Sequence, residues 1–319
     1  ALAVGRYGVV GAGTQNATLA FGGNPSNTST EEYNGTAWSP GGAMIIGKSE
    51  FGGAGSQNAA LAFGGYCSGA PYANNCNEAY NGASWSTANP LITSRRGVGA
   101  GSQNAALSFG GFPAPALNCA TEEYDGTNWS TGGNMNVGKA KFAGSGAQDT
   151  ALAYGGYPNV NTSVHYDGTN WTSGGNLVAG RELLSDGIGT QTAALAAGGY
   201  IRSPDSFVTN SESYDGSSWT EGNNLNTARY GPGGFGTQTA AVCHGGITTG
   251  QLANTEEYDG TSWTNATARP YSAGNTMSSG TLTAGLVYGG NPSGLVTTTL
   301  GYDGTNWSTR PSMAVARAM

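Results

Sequence analysis

Two histidines, His165 and His244, are the only imidazoles in a chain of 319 residues, and its thiols number four. Acid–base, nucleophilic and metal chemistry draw heavily on these groups, so the inventory already limits what the chain can catalyse. His165 stands just before a recurring Tyr, and His244 takes the place held by Phe21, Phe63 and Phe109 in related segments. Both read as substitutions within a structural pattern. No Cys/His metal spacing, P-loop or nucleophile elbow occurs. Asp and Glu recur along the chain, which keeps a carboxylate pair for glycoside hydrolysis as a distant alternative. Asp125, Asp167 and Asp215 read better as turn residues, because a short carboxylate can bind its own backbone a few residues on. The expectation is a non-enzyme with no cofactor and no metal.

Cys67 and Cys76 flank one loop, and two readings stand: a disulfide formed in an oxidising setting, or a reduced pair in a Gly-rich loop. Cys243 replaces a small strand residue and is expected to be buried. Twelve basic against nineteen acidic residues give a net charge of −7, which argues against a nucleic-acid partner. No stretch approaches the roughly 20 apolar residues of a membrane-spanning helix, so membrane insertion is not expected. The 56 glycines have no three-residue period, which excludes collagen. With 16 Tyr, 7 Trp and 8 Phe the chain is too aromatic for a disordered coil. Thr, Tyr, Trp and Val between Gly, Asn and Asp punctuation point to an all-β protein.

The elements that must position these groups follow from a repeat. Trp recurs at Trp38, Trp85, Trp129, Trp171, Trp219, Trp263 and Trp307, each five residues after a Tyr (Tyr33, Tyr80, Tyr124, Tyr166, Tyr214, Tyr258, Tyr302). A Gly-Gly pair also recurs seven times, beginning at Gly22, Gly64, Gly110, Gly155, Gly198, Gly245 and Gly289. The mean period of about 45 residues suits four-stranded propeller blades. In one unit, Gly138 to Gly146 reads as a first strand around a narrow axis, followed by a turn at Ala147-Gln148-Asp149. Thr150 to Tyr154 reads as the second strand, a third ends at Tyr166, and Asp167-Gly168-Thr169-Asn170 turns into a fourth at Trp171. The prediction is a seven-bladed β-propeller of four-stranded antiparallel blades, approximately 1–46, 47–93, 94–137, 138–179, 180–227, 228–268 and 269–319. Its two ends share one phase of the repeat, so closure is expected by packing blade 1 on blade 7. The alternative adds Ala1 to Val4 as a short edge of blade 7.

The double glycine followed by Tyr and Trp at fixed spacing resembles the kelch repeat over the whole chain. Two stretches, Glu122-Glu123-Tyr124-Asp125-Gly126-Thr127-Asn128-Trp129 and Ala60-Leu61-Ala62-Phe63-Gly64-Gly65, also resemble propeller arrays of aquatic bacteriophages. That second likeness implies a virion or tail-associated protein. Copper oxidases with kelch-type propellers hold their metal with two His and two Tyr, and no such set is evident here.

Length variation is confined to the connection between strands 2 and 3, shortest in blades 1 and 4 and longest in blades 2 and 5. Loops on a rigid scaffold commonly carry recognition, so that face is the candidate binding surface. The residue after Gly-Gly is aromatic in four consecutive blades: Tyr66, Phe112, Tyr157 and Tyr200. Such an arc either stacks on sugar rings and anchors a protein, or covers its own loops. Tyr72, Arg202 and Phe207 in the longest loops would enlarge it. Nine basic residues (Arg6, Lys48, Arg95, Arg96, Lys139, Arg181, Arg229, Arg269, Arg317) fall where the chain enters strand 1. Glu lies two before the Tyr at Glu31, Glu78, Glu122, Glu212 and Glu256. These groups either pair to stitch blade to blade or form a basic mouth for acidic glycans. Val164 and Leu300 take the Glu place in blades 4 and 7, where an unpaired cation is expected. The function expected is a non-catalytic extracellular or virion-surface propeller that acts as a structural and attachment protein, with glycan or receptor binding through its 2–3 loop face. The alternative is a scaffold that docks a protein partner, other virion proteins included.

Overall fold

The computed structural model describes residues 6, 8–24, 27–67, 73–112, 119–182, 187–290 and 298–310. Seven four-stranded antiparallel sheets form the seven blades, with no helix among the described residues. In blade 1 the strands are Val10–Thr14, Ala17–Phe21, Thr30–Tyr33 and Trp38–Pro40, each paired with the next. In blade 4 they are Ala143–Ala147, Thr150–Tyr154, Ser163–Tyr166 and Trp171–Ser173. The first strand of blade 4 is therefore shorter than the sequence implies. Lys141 takes a left-handed conformation (φ 50°) that breaks extended backbone before Ala143.

Closure is by packing. No strand is exchanged between blades 1 and 7 among the described residues, and Ala1 to Val4 lie outside them. The buried side chains form seven clusters, and each spans a seam between neighbouring blades. The closing cluster joins Val9, Ala20, Tyr33 and Trp38 to Leu286 and Tyr288. A blade has two apolar faces and no core of its own, so only a completed ring buries both.

The repeated Trp and its Tyr sit at the outer end of each seam. Tyr–Trp pairs within a blade have ring centroids 4.6–5.2 Å apart, as between Tyr302 and Trp307 and between Tyr33 and Trp38. Most indoles donate across the seam to a hydroxyl in the preceding blade: Trp85 to Thr30, Trp171 to Thr121, Trp263 to Ser211 and Trp307 to Thr255. Trp38 completes the circle by donating to Thr299 Oγ1 at 2.9 Å. Asn77 holds that hydroxyl place in blade 2, and the Trp129 indole nitrogen has no hydrogen-bond partner among the described residues. In the 1–2 turns, Gln57, Gln103, Gln148, Gln191 and Gln238 each donate to two carbonyls of the preceding blade.

First strands crowd the axis closely enough to need glycine. A Cβ on Gly187 would lie 1.8 Å from the Gly144 carbonyl oxygen, and one on Gly99 would lie 2.7 Å from that of Gly53. The recurring Asn and Asp close the 3–4 hairpins as expected. Asp125 Oδ1, for example, accepts from the Thr127 and Asn128 amides, which holds its carboxyl below the ordinary range.

Candidate functional site

The recurring cations lie at the seams with their charge turned inward. Arg6, Lys48, Arg95, Arg181 and Arg229 are buried and ion-paired to Glu31, Glu78, Glu122, Glu212 and Glu256 of their own blades. Each cation's carbonyl oxygen accepts the second Gly amide of the preceding blade, as Gly23 to Lys48 and Gly199 to Arg229. The glutamates in turn accept amides of the incoming connection, such as Ile45 and Ile46 onto Glu78. The pairs are thus structural clasps between blades, and the basic mouth for acidic glycans does not form from them. Arg96 pairs at the surface with Glu50, and Arg317 lies outside the described residues.

Arg269 needs a further correction. Ala273, not Arg269, occupies the strand-entry place in blade 7, because the Ala273 carbonyl accepts the Gly246 amide. The connection has the ordinary length, since Ala273 follows Trp263 by ten residues as Arg229 follows Trp219. Arg269, four residues before that place, folds back to donate to the carbonyls of Leu252 and Ala273. Tyr271 donates instead to the Thr298 carbonyl, next to the buried Leu300 that replaces the usual Glu.

Blade 4 keeps its cation without a carboxylate. Lys139 is fully buried beside Val164 and donates to the carbonyls of Gly155 and Thr162 and to the Thr162 hydroxyl. Burial lowers its ammonium pKa to about 7. The unfolded chain holds that proton to about pH 10.4. Between these values the unfolded state binds more protons, so stability rises with pH from about 7 to about 10. Lys139→Met should remove that rise. Urea midpoints measured across the window in both proteins check it, and parallel profiles would refute the assignment.

The 2–3 loop face carries a strip of rings. The residues after Gly-Gly pair back to the start of strand 1, with Tyr66 opposite Ser49, Tyr157 opposite Ala140 and Tyr200 opposite Glu182. This backbone bridge places the rings side by side. Arg96 lies over Phe112 at 5.3 Å, and Phe112 and Tyr157 centroids are 6.3 Å apart. Arg202 lies between Tyr157 (4.8 Å) and Tyr200 (5.8 Å). Tyr200, Phe207 and Tyr230 then form one group, in which Phe207 and Tyr230 stack at 5.3 Å. Tyr66 is among the exposed large hydrophobic side chains of the protein. Tyr72 lies outside the described residues.

The long loop of blade 5 is itself a hairpin, Tyr200–Arg202 paired with Asp205–Phe207. It forms one wall of a groove of about 320 Å³ lined by Glu182, Tyr200, Arg202, Asp205, Phe207, Tyr230 and Thr248. Three of the residues expected from sequence, Tyr200, Arg202 and Phe207, meet here. Glu182 is wholly buried and Arg202 Nε lies 2.6 Å from its Oε1. A side-chain hydrogen bond to Asp205 raises the Tyr200 phenol pKa. Glu182 and Tyr230 had no signal in the repeat, since their shared place holds Ser49, Arg96 and Ala140 in other blades. The opposite face has depressions of about 340 and 250 Å³ among the 1–2 turns, lined by small residues, Gln, Asn and Asp but no ring.

Cys67, Cys76, Cys119 and Cys243 are unbridged in the structure. Cys243 is buried as expected. His165 bonds to the Tyr214 hydroxyl, where Glu32, Glu123 and Glu257 bond to the next blade's Tyr. His244 is buried between Phe235 and Trp307, and burial holds its pKa well below the ordinary value. Among the described residues no three His, Cys, Asp or Glu side chains gather as a metal site.

No protein-family model matches the chain, and no curated protein matches it. Among solved structures it is similar to that of YjhT, with a TM-score of 0.62, 14% identity, and coverage of 80% of this chain and 95% of that one. At this identity the likeness concerns the propeller fold alone.

Proposed function

We propose that this chain is a non-catalytic recognition propeller of kelch-like type, serving attachment at a virion or cell surface and binding glycan through its 2–3 loop face. The observation that carries the reading is the strip of rings and guanidinium groups from Phe112 through Tyr157 and Arg202 to Tyr230. Rigid rings offer stacking area at small entropic cost, and they stand on backbone that the bridges fix. The bacteriophage context rests on the repeat sequences Glu122 to Trp129 and Ala60 to Gly65.

A glycan array probed with the chain and with a variant carrying Ala at Tyr66, Phe112, Tyr157 and Tyr200 tests this. Binding by the first and its loss in the folded variant are expected. Absence of binding by the parent chain would reject the glycan reading. A protein-docking scaffold is the second reading. It is favoured by Ile45, Ile92 and Val178, which are 53–60% exposed at like places in three connections.

A further inference from the structure

The blade 5 groove contains a buried acceptor that the fold itself does not use. Glu182 is among the residues lining the groove, and its carboxylate lies just beneath the surface with no solvent exposure. Arg202 forms the ion pair at Oε1, while Oε2 has no hydrogen-bond partner among the described residues. A buried carboxylate oxygen left open is costly, and a donor brought by a ligand relieves that cost. Beside it, Phe207 and Tyr230 are nearly parallel, with planes 24° apart, and both keep part of their surface exposed. They are stacked on one another, so a ligand meets a ring edge or outer face and not a slot between rings.

Charge then selects among sugars. Among the described residues of the lining, Glu182 and Asp205 supply two carboxylates, and Arg202 supplies the one cation, already held by Glu182. An acidic glycan would bring a third negative charge with no free cation to meet it. A cationic ligand would compete with Arg202 for its place against Tyr157 and Tyr200. A neutral pyranose avoids both conflicts, since a hydroxyl donates to Glu182 while its C–H face rests on the aromatic group.

We propose that the groove bounded by the Tyr200–Phe207 hairpin and Tyr230 is a subsite for a neutral hexopyranose unit, with Glu182 Oε2 accepting a sugar hydroxyl and the Phe207–Tyr230 pair supporting the ring. This rests on the glycan-binding reading above and names its sugar class and its anchoring carboxylate. The acceptor and the aromatic pair are positioned before binding, and the half-exposed Arg202 side chain has to give way for a hydroxyl to reach Glu182.

The test uses the full chain beside Glu182→Gln and Phe207→Ala on an array of neutral, sialylated, sulfated and amino-sugar glycans. Glu182→Gln keeps the shape and replaces the charged acceptor with a neutral one, and Phe207→Ala removes the platform from a surface hairpin. Binding of neutral glycans by the parent is expected, with apparent affinity falling about tenfold in Glu182→Gln and about three- to tenfold in Phe207→Ala. Undiminished binding in both variants would overturn the subsite while leaving the glycan reading intact. Binding confined to sialylated or sulfated glycans would overturn the sugar class alone. No binding by the parent chain would overturn both readings together.

Discussion

Trp171→Ala is expected to destabilise the protein by about 3–5 kcal/mol, the range for removing a large buried ring. Trp171 is 5% exposed, and its centroid lies 5.0 Å from Tyr166 and 5.2 Å from Phe109 across the seam. Its indole also donates to Thr121 Oγ1 at 2.7 Å. The loss therefore combines transfer, cavity and an orphaned hydroxyl. Trp129 offers an internal control, because it packs on Tyr124 and Phe63 at 5.1 and 4.8 Å with no partner for its nitrogen among the described residues. Trp129→Ala should fall short of Trp171→Ala by about 0.5–1.5 kcal/mol, the worth of a typical hydrogen bond. Urea unfolding of both variants measures this, provided the slopes match the parent. A loss below about 1 kcal/mol at Trp171 would refute the seam as the unit of the core.

The ring was legible because its elements are local and periodic. Tyr to Trp spans one hairpin, and Asp167-Gly168 states its turn chemistry outright. Seven copies of one unit leave few ways to bury two apolar faces per blade. The glutamates that pair with Arg181 and Arg229 were also readable, since their positions repeat. What escaped was register and cross-seam geometry. Arg269 looks like a strand-entry residue, yet it stands six residues after Trp263 where Arg229 stands ten after Trp219, and Ala273 at that tenth place meets the Gly246 amide. The aromatic arc appeared as single residues, one per loop. Only the folded ring brings Tyr230 of the next blade against Phe207, and only backbone pairing sets Glu182 beside Tyr200. Glu182 belongs to no repeated pattern, and a position that varies between blades carries no periodic signal.

The second large effect expected is at the clasp of blade 6. Arg229 and Glu256 are both fully buried at 2.6 Å, and Glu256 also accepts the amides of Asn226 and Thr227. Glu256→Leu leaves a guanidinium in low dielectric that cannot shed its charge, so a loss of about 3–5 kcal/mol is expected. The protein itself shows two ways of living without the Glu. Blade 4 has Val164 and keeps a lysine, Lys139, whose pKa burial brings to about 7, so it is readily neutralised. Blade 7 has Leu300 and gives up the cation at that place, with Tyr271 donating to the Thr298 carbonyl instead. Neither leaves an arginine there alone. Arg229→Met combined with Glu256→Leu follows the blade 7 solution, although the Gly245 and Asn254 carbonyls then lose a donor. The double variant should therefore remain below the parent yet recover about 1–3 kcal/mol relative to the sum of the two single losses. Chemical denaturation of the four proteins gives that coupling directly. Strictly additive losses would mean that each residue is held by its backbone partners and that the ion pair is incidental.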